Sequence, residues 1–348
     1  VEIEAVEPSG QVVIVSKGKP GFESRQTSPG RWSRCNLSCI SRSGSASPYK
    51  KRRPLVIFRS EPEIDLSVII VNYNVRDLLR KCLKSILRFQ KDLSFEVLVI
   101  DNDSEDGSAE MIRQEFNEIA LLENSRNLGF SAACNQGIKR SRGRFILLLN
   151  PDTEFTPGGI TAMVKFMDSH SDAGICGPRM TDVAGKLHYS CRCFPSYLTA
   201  ISSAQSILNR LFPRNPLSRR YLQKDSNRTK RIETDWVSGS CLLARREMLE
   251  KVGLLDTRFF MYVEDVDLCY RAGKAGYAVY CFPNSIVIHH TAGSSRKRRI
   301  SMLVEHHRSM FLFHRKHYHP NLLLKGMVFF GIWIRLWLAV VVTLLRST

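Results

Sequence analysis

Three clusters of carboxylates and amides carry the chemical interest of this sequence: Asp101-Asn-Asp103, Asn150-Pro-Asp152 and Glu264-Asp265-Val-Asp267. A single carboxylate after a strand is ordinarily a turn former or a helix cap, because Asp and Asn bond to nearby backbone. Three such clusters at one edge of one sheet suit a different task. Carboxylates repel an anionic substrate unless a divalent cation stands between them, and hard cations bridge carboxylate oxygens to phosphates. The set therefore points to a nucleotide-diphosphate site with Mg²⁺ or Mn²⁺. No GxxxxGK loop occurs and no GxGxxG follows a strand, which argues against a P-loop NTPase and a dinucleotide oxidoreductase.

Hydrophobic period indicates the elements that must place these clusters. Ser67-Val-Ile-Ile-Val71 is a continuous β-branched run, as in a buried parallel strand, and Asn72-Tyr-Asn74 ends it. Apolar positions at helical spacing follow over 77–90, and a second strand over 95–100 closes in the Asp101 cluster. Helix 107–117, a short strand near 119–123, helix 130–140 and strand 145–149 lead to the Asn150 cluster. Helix 158–168, strand 173–177, an ordered stretch over 234–243, helices 245–252 and 264–275, and strands 277–281 and 285–289 complete the pattern. This β-α-β-α-β order predicts an α/β fold with an open, mostly parallel sheet flanked by helices, in which ligands bind beyond the carboxyl ends of the strands.

The formal charge of +18 over 348 residues invites a nucleic-acid reading. Its distribution argues otherwise. Residues 1–60 carry 11 Lys/Arg against 4 Glu, residues 291–348 carry 10 against 1, and the stretch between carries 30 against 28. Residues 1–63, rich in Ser, Arg, Gly and Pro, read as a disordered basic tail. Val12–Val15 is too short for a signal-peptide core, and the missing initiator Met points to a partly mis-assigned start. Residues 205–231, with 8 Lys/Arg against Asp225, read as a basic loop over the site. The ten cysteines form no CxxC pair and suit reduced, buried thiols in a cytosolic setting.

The C-terminal segment differs. Gly326 to Leu345 is nearly all apolar and long enough to cross a bilayer. Arg335 within it would cost about 2.5–3.5 kcal/mol at the bilayer centre, and an interfacial helix is the alternative. Arg296-Lys-Arg-Arg299, Arg308, Arg315 and Lys316 precede it as a basic stretch suited to anionic lipid. The division is thus a tail over 1–63, a catalytic domain over 64–295 and a membrane-associated segment over 296–348.

At this point the sequence resembles a known family. Ser67-Val-Ile-Ile-Val-Asn-Tyr-Asn74, Val99-Ile-Asp-Asn-Asp-Ser-Glu-Asp-Gly107, Asn124-Ser-Arg-Asn-Leu-Gly-Phe130 with Asn135, and Leu147-Leu-Leu-Asn-Pro-Asp152 look like glycosyltransferase family 2. Trp236-Val-Ser-Gly239, Gly253-Leu-Leu-Asp256, Phe259-Phe-Met-Tyr-Val-Glu-Asp-Val-Asp-Leu268 and Ile288-His-His290 extend the likeness. The pattern is most similar to bacterial rhamnosyltransferase-like enzymes of surface polysaccharide assembly.

The resemblance implies a GT-A fold and inverting sugar transfer from a nucleotide sugar to a glycan or lipid-linked acceptor, at the cytoplasmic face of the cell membrane. It implies that Asn72, Asn74, Asp101, Asp103, Arg126, Asn127, Gly129, Asn135 and Asn150 surround the donor, with Asp101 on the base and Asp103 beside the ribose. Asp152 would bind the cation. Since Asn150 replaces one carboxylate of the usual motif, His289 or His290 is a candidate second ligand, and imidazole favours Mn²⁺ over Mg²⁺. Trp236 and Gly239 fall where the family shapes the acceptor and sugar site.

Asp265 is the expected general base, a carboxylate taking the acceptor hydroxyl's proton as that oxygen attacks the anomeric carbon. In the first turn of a helix its charge is favoured by the dipole. Asp267, two residues on, cannot share its direction, whereas Glu264 and Asp267 can face together. Glu264 and Asp267 are therefore given supporting parts. A nucleotidyltransferase would want a Gly-rich, basic loop after the first strand, where Asn72-Tyr-Asn74 stands instead. A non-catalytic nucleotide-sugar-binding module would not need every acidic cluster intact. Nucleic acid is not an expected partner.

Overall fold

A computed structural model describes residues 2–6, 12–15, 64–89, 93–195, 232–290, 299–318 and 321–345. The 205–231 loop, most of the 1–63 tail and Arg296, Lys297 and Arg298 lie outside these residues. Two strands near the start, β1 (Glu2–Val6) and β2 (Val12–Val15), pair antiparallel within a unit of their own spanning Val1–Arg52.

The second unit is built on a sheet. Its parallel half consists of β3 (Ile64–Asn72), β4 (Phe95–Asp101), β5 (Ala120–Glu123) and β6 (Gly143–Leu149). The other half contains β7 (Thr153–Phe155), β8 (Ala173–Thr181), β9 (Leu187–His188), β11 (Ile232–Glu233), β13 (Cys241–Arg245) and β14 (Ala278–His289). The hydrogen-bonded order is β11-β14-β8-β13-β6-β3-β4-β5, with β7 on β14 and β9 on β8. Strand β13 runs antiparallel between β6 and β8, so the sheet is mostly rather than wholly parallel. A separate pair, β10 (Cys191–Arg192) and β12 (Trp236–Val237), lies beside it in the chain.

Alternation along β3 distributes the core. Val68 and Ile70 join Leu79, Leu83 and Ile86 of α1 (Arg76–Phe89), Met111 and Ile112 of α2 (Ser108–Glu115), and Met163 and Val164 of α4 (Gly159–Ser169). Ile69 and Val71 face the opposite layer. There they meet Ala133 and Ile138 of α3 (Phe130–Arg140), Met248 and Leu249 of α5 (Arg246–Val252), and Leu268 and Cys269 of α6 (Glu264–Lys274). With both faces covered, a strand must be apolar at every position, which explains its continuous Val/Ile run.

Strand order reverses at β3, between β6 and β4, and that crevice is where such sheets receive ligands. The two closing strands expected over 277–289 are a single strand, β14, whose register shifts between Phe282 and Ile286. Pro283 in that gap has no N–H to give the ladder.

Two more helices follow. α7 (Arg299–His317), where the sequence suggests only a basic stretch, docks on the second core layer through Phe313. α8 (Leu322–Leu345) is, among the described residues, the helix long and apolar enough to cross a membrane. Ile332 and Leu336 are its buried positions, while Phe330, Ile334 and Trp337 are exposed.

The reduced-thiol expectation holds for Cys82, Cys134, Cys176, Cys241 and Cys269, which are free and buried. It is corrected at one pair. Cys191 and Cys281 form a disulfide, their Cα atoms 6.1 Å apart and within its natural span. Their separation of 90 residues hides that meeting from any spacing rule.

Candidate active site at the carboxyl edge of the sheet

The ends of β3 and β4 are locked together. Asn72 Nδ2 donates to Asp101 Oδ1 at 2.8 Å and to Ser104 Oγ at 3.1 Å, and Asp101 Oδ2 accepts from the Ser104 amide at 2.9 Å. Ser104 Oγ also accepts from the Asn74 amide, and Asn74 Oδ1 accepts from the Glu105 amide. Asn74 and Asp103 have φ of 55° and 71°, left-handed values that short polar side chains tolerate. Asp101 is buried and holds the two turns together. Of the two carboxylates, Asp103 is the one exposed to an incoming ligand.

The 124–129 loop is organised by Asn102. Its amide donates to Asn127 Oδ1 and to the Gly129 carbonyl, while its Oδ1 accepts from the Leu128 amide and from Asn124. Asn127 Oδ1 in turn accepts from the Gly129 amide at 2.9 Å. Arg126 is carried exposed on this loop. Asn135 is not part of the edge, which corrects its expected donor role. Its amide donates to the Leu255 carbonyl and accepts from the Leu255 N–H, at 2.8 and 3.1 Å, so both polar atoms clamp backbone.

Beyond β6, the Asn150-Pro-Asp152 turn brings Asp152 to β14. His289 Nε2 stands 3.3 Å from Asp152 Oδ1, an oxygen that is buried and has no hydrogen-bond partner among the described residues. His290 points elsewhere, to Glu154 Oε1 at 2.7 Å. Neighbours on a strand face opposite sides, and this parity selects His289 over His290 as the imidazole beside Asp152. His188 lies edge-on to His289 at 5.8 Å. Among the described residues no group of three His, Cys, Asp or Glu forms a protein cage. A carboxylate and an imidazole nevertheless fit a cation that completes its shell with phosphate oxygens and water. The orphaned Asp152 oxygen is where such an ion would be held.

The base candidate stands at the start of α6. Asp265, in the first turn of α6, accepts from the Gly239 amide through Oδ2 at 2.8 Å and from the Val266 amide through Oδ1 at 2.8 Å. A Cβ on Gly239 would stand 3.3 Å from the Asp265 Cβ, so the bare backbone is what allows this approach. Gly239 is therefore the donor that aims the carboxylate. Burial pushes Asp265 above the ordinary carboxylate range, and the two backbone N–H groups and Arg192 pull it part of the way back. Burial, and then the Asp265 charge, hold Glu264 well above it. Of this buried pair Glu264 is raised further, which leaves Asp265 the better carrier of a charge. The preceding residues Tyr262 and Val263 have φ of 67° and 68°, a costly conformation for bulky side chains. The next turn, at Ser240, accepts from the Asn150 amide at 2.9 Å, tying the base's support to the Asp152 turn.

Two sequence-based roles change here. Trp236 is buried, donates from Nε1 to the Cys193 carbonyl at 2.9 Å and has the Arg192 guanidinium over its ring at 5.2 Å. It is a covered wall rather than an open sugar platform. Asp267 lies away from Asp265, a fully buried carboxylate that meets the partly buried Arg271, Lys316 and His317 at 2.8, 2.5 and 2.7 Å. Lys316, grouped from sequence with the lipid-facing residues, instead docks α7 onto α6 and also reaches Asp256 at 2.7 Å.

Comparison with known proteins shows the family of the chain. The profile described as glycosyl transferase family 2 matches residues 67–253, more than half of the chain. The chain belongs to glycosyltransferase family 2. An N-acetylglucosaminyl-diphospho-decaprenol L-rhamnosyltransferase of Mycobacterium tuberculosis is 34% identical over 259 residues, covering 71% of this chain and 83% of that protein. The rhamnosyltransferase WbbL of Escherichia coli K12 is 26% identical over 239 residues, covering 66% and 84%. Among solved structures, a mannosyltransferase of Pyrobaculum calidifontis in complex with GDP-Man and Mn²⁺ superposes with a TM-score of 0.51 at 17% identity, over 78% of this chain and 69% of that one.

In this family 2 glycosyltransferase, sequence reading passed over the parts that Asn102 and Arg192 play. Asn102 sits between two aspartates and looks like turn filler, yet it is buried and holds the whole 124–129 loop. That loop also fixes Gly129 against the segment before α6. Gly129 has φ of 83°, and a Cβ there would meet the Phe260 carbonyl oxygen at 2.6 Å. Gly129→Ala is expected to destabilise the enzyme by about 1–3 kcal/mol through strain and overpacking, read as a lower urea midpoint at unchanged slope.

Proposed function

We propose that this glycosyltransferase transfers a hexose, with rhamnose the leading candidate, from a nucleotide-diphosphate sugar to a lipid-linked or glycan acceptor at the cytoplasmic membrane surface. The transfer is inverting. The observation that carries the reading is the Asp265 carboxylate, aimed by the Gly239 N–H one residue from the Ser240 carbonyl that receives the Asn150 amide of the Asp152 turn. The relatives' activities, rhamnosyl transfer in both and a diphospho-decaprenol substrate in one, support the choice of sugar and acceptor, and the exposed apolar surface of α8 supports the membrane setting.

In this mechanism Asp265 removes the acceptor hydroxyl's proton as that oxygen bonds to the anomeric carbon. The bond from that carbon to the donor's diphosphate oxygen breaks, and the nucleoside diphosphate leaves with the electron pair. Asp152 and His289 would hold Mn²⁺ or Mg²⁺, which supplies charge stabilisation for the leaving diphosphate. Asp103 and the Arg126-bearing loop flank the nucleoside. Glu264, kept neutral, leaves a single negative charge on the base wall.

A donor screen tests this. Purified full-length protein with Mn²⁺ is offered dTDP-rhamnose, UDP-sugars and GDP-mannose, and release of nucleoside diphosphate is measured. Turnover of one donor class, lost on chelation, is expected; full activity in excess chelator would remove the metal. Asp152→Ala should lower kcat/KM by about a hundredfold or more, because a bound cation is worth several kcal/mol at the leaving group. The loss should appear with the metal present and not in its absence.

A further inference from the structure

Arginines that brace this fold are satisfied by the protein itself. Arg246 is buried and donates to the Gly143 and Ser141 carbonyls and to Ser141 Oγ, at 2.6, 3.0 and 2.9 Å. Arg245 donates to the carbonyls of Ala173, Met167 and His170. Arg271 holds Asp267 and three further carbonyls. Arg179 of β8 differs. Its Nε is buried and has no hydrogen-bond partner among the described residues, and no carboxylate among them pairs with its guanidinium. The residue as a whole is only partly buried, and its two terminal nitrogens are not among the covered, unpartnered atoms. A half-covered guanidinium with no counter-charge has lost hydration without replacement. An anionic ligand would supply what is missing.

The sheet register fixes where this group stands. Cys176 and Met180 of β8 belong to the first core layer, and Ile175 to the second. A Cβ on Gly177 would meet the Val237 side chain at 2.7 Å, and Val237 is also in the second layer. Side chains alternate along a strand, so Arg179 faces the second layer, the side that carries α6 and its Asp265. Strand β13 pairs Leu243 with Cys176 of β8 and Cys241 with Leu149 of β6. Carried to the carboxyl edge, these two registers set Asn150, Ser240 and Arg179 in one row. Within it the Asn150 amide donates to the Ser240 carbonyl at 2.9 Å. Ser190 ties the neighbouring residues together: its Oγ donates to the Pro178 carbonyl at 3.2 Å, and its carbonyl accepts from the Ser238 amide at 2.8 Å. Arg179 is thus held beside the Gly239-Ser240 turn. Two strand spacings, about 10 Å, separate its backbone from that of Asn150.

We propose that Arg179 binds the diphosphate of the sugar donor, from the sheet face that carries α6. This deepens the nucleotide-sugar reading above and rests on it. A guanidinium fork matches phosphate oxygens, and its charge does not titrate. The three acidic clusters bring no positive charge of their own to this edge. Arg179 brings one that no protein group has claimed. Negative charge grows on the diphosphate as its bond to the sugar breaks, so a fixed cation beside it counts for most at that moment. The row that Arg179 shares with Asn150, at the start of the Asp152 turn, selects the donor's diphosphate over one carried by an acceptor.

The probes are inorganic diphosphate, UDP, dTDP and GDP, titrated against the full chain with Mn²⁺, and farnesyl diphosphate as the acceptor-like control. Wild type is expected to bind inorganic diphosphate and one nucleoside diphosphate. Arg179→Gln should weaken both by about tenfold or more, the loss of a charge-assisted hydrogen bond. Arg179→Lys, which keeps the charge without the fork, should lose less. Urea unfolding separates binding from bracing. Arg179→Gln should leave the midpoint unchanged or raise it, since the guanidinium has no partner to lose, whereas Arg246→Gln should lower it. A lowered midpoint in Arg179→Gln with diphosphate affinity intact would make Arg179 a structural residue and overturn the proposal. Equal affinity of wild type and Arg179→Gln would also overturn it, as would no diphosphate binding by wild type. Loss confined to farnesyl diphosphate would move the group to the acceptor and overturn the donor assignment. Turnover of nucleotide sugar is read separately. Its absence beside Arg179-dependent diphosphate binding would sink the transferase reading and leave the anion site standing.

Discussion

Asp265→Asn is expected to lower kcat by about a hundredfold to ten-thousandfold, the contribution of a positioned general base, while nucleotide affinity in Mn²⁺ stays within a few-fold. The substitution is nearly isosteric, and its carbonyl oxygen can still accept from the Gly239 amide that holds Oδ2 at 2.8 Å. It cannot take a proton. Glu264→Gln is the informative partner. Burial already keeps Glu264 protonated, so the amide replaces a neutral acid and costs far less. The pH profile follows from the same environment. Because burial raises Asp265 above its ordinary value, the acidic limb of kcat/KM should fall at a pH above the usual carboxylate range and vanish in Asp265→Asn. Equal loss of turnover and nucleotide affinity in that variant would reassign Asp265 to donor binding.

The second large effect is on stability. Asp267→Ala should destabilise the protein by about 3–5 kcal/mol, the cost of breaking a buried ion pair from one side. Arg271, Lys316 and His317 all meet at this fully buried carboxylate. Urea unfolding measures it, and a further Lys316→Met change should recover part of the loss by removing an uncompensated charge. Burial pushes Asp267 upward, but the His317 bond, Arg271 and Lys316 outweigh it and the folded value is lowered. The sign follows. The stabilisation is fully present above the unfolded carboxylate value of 3.8 and is lost as pH falls below it toward the folded value. Acid should therefore loosen α7 before the sheet, and wild type and Asp267→Ala should converge in stability there.

The central strands and the two acidic clusters at their ends, around Asp101 and Asn150, were legible because a buried parallel strand announces itself as an apolar run cut off by polar residues. Asp265 stands instead in the first turn of α6, and its expected role came from the family resemblance. Other parts depended on partners far along the chain. Asn135 looked like a ligand residue because nothing local indicates that its amide clamps Leu255. The His289-His290 pair was ambiguous in one dimension and was resolved by strand parity. Helix α7 escaped notice because its inward positions include His307, Ser309 and His314, which carry no hydrophobic period. Lys316 looked solvated for want of any sign of Asp256 and Asp267 beneath it.

The short turn at Gly239 and Ser240 joins the two sides of the proposed site. One of its residues grips the base through Gly239 N–H, and the next receives the Asn150 amide from the turn that carries Asp152. On the proposed roles, the two jaws of a calliper are fixed to one stem. Sugars are then gauged by thickness between Asp152 and Asp265. Lengthening this turn by one residue should widen the range of donors accepted, read as turnover across a panel of nucleotide sugars.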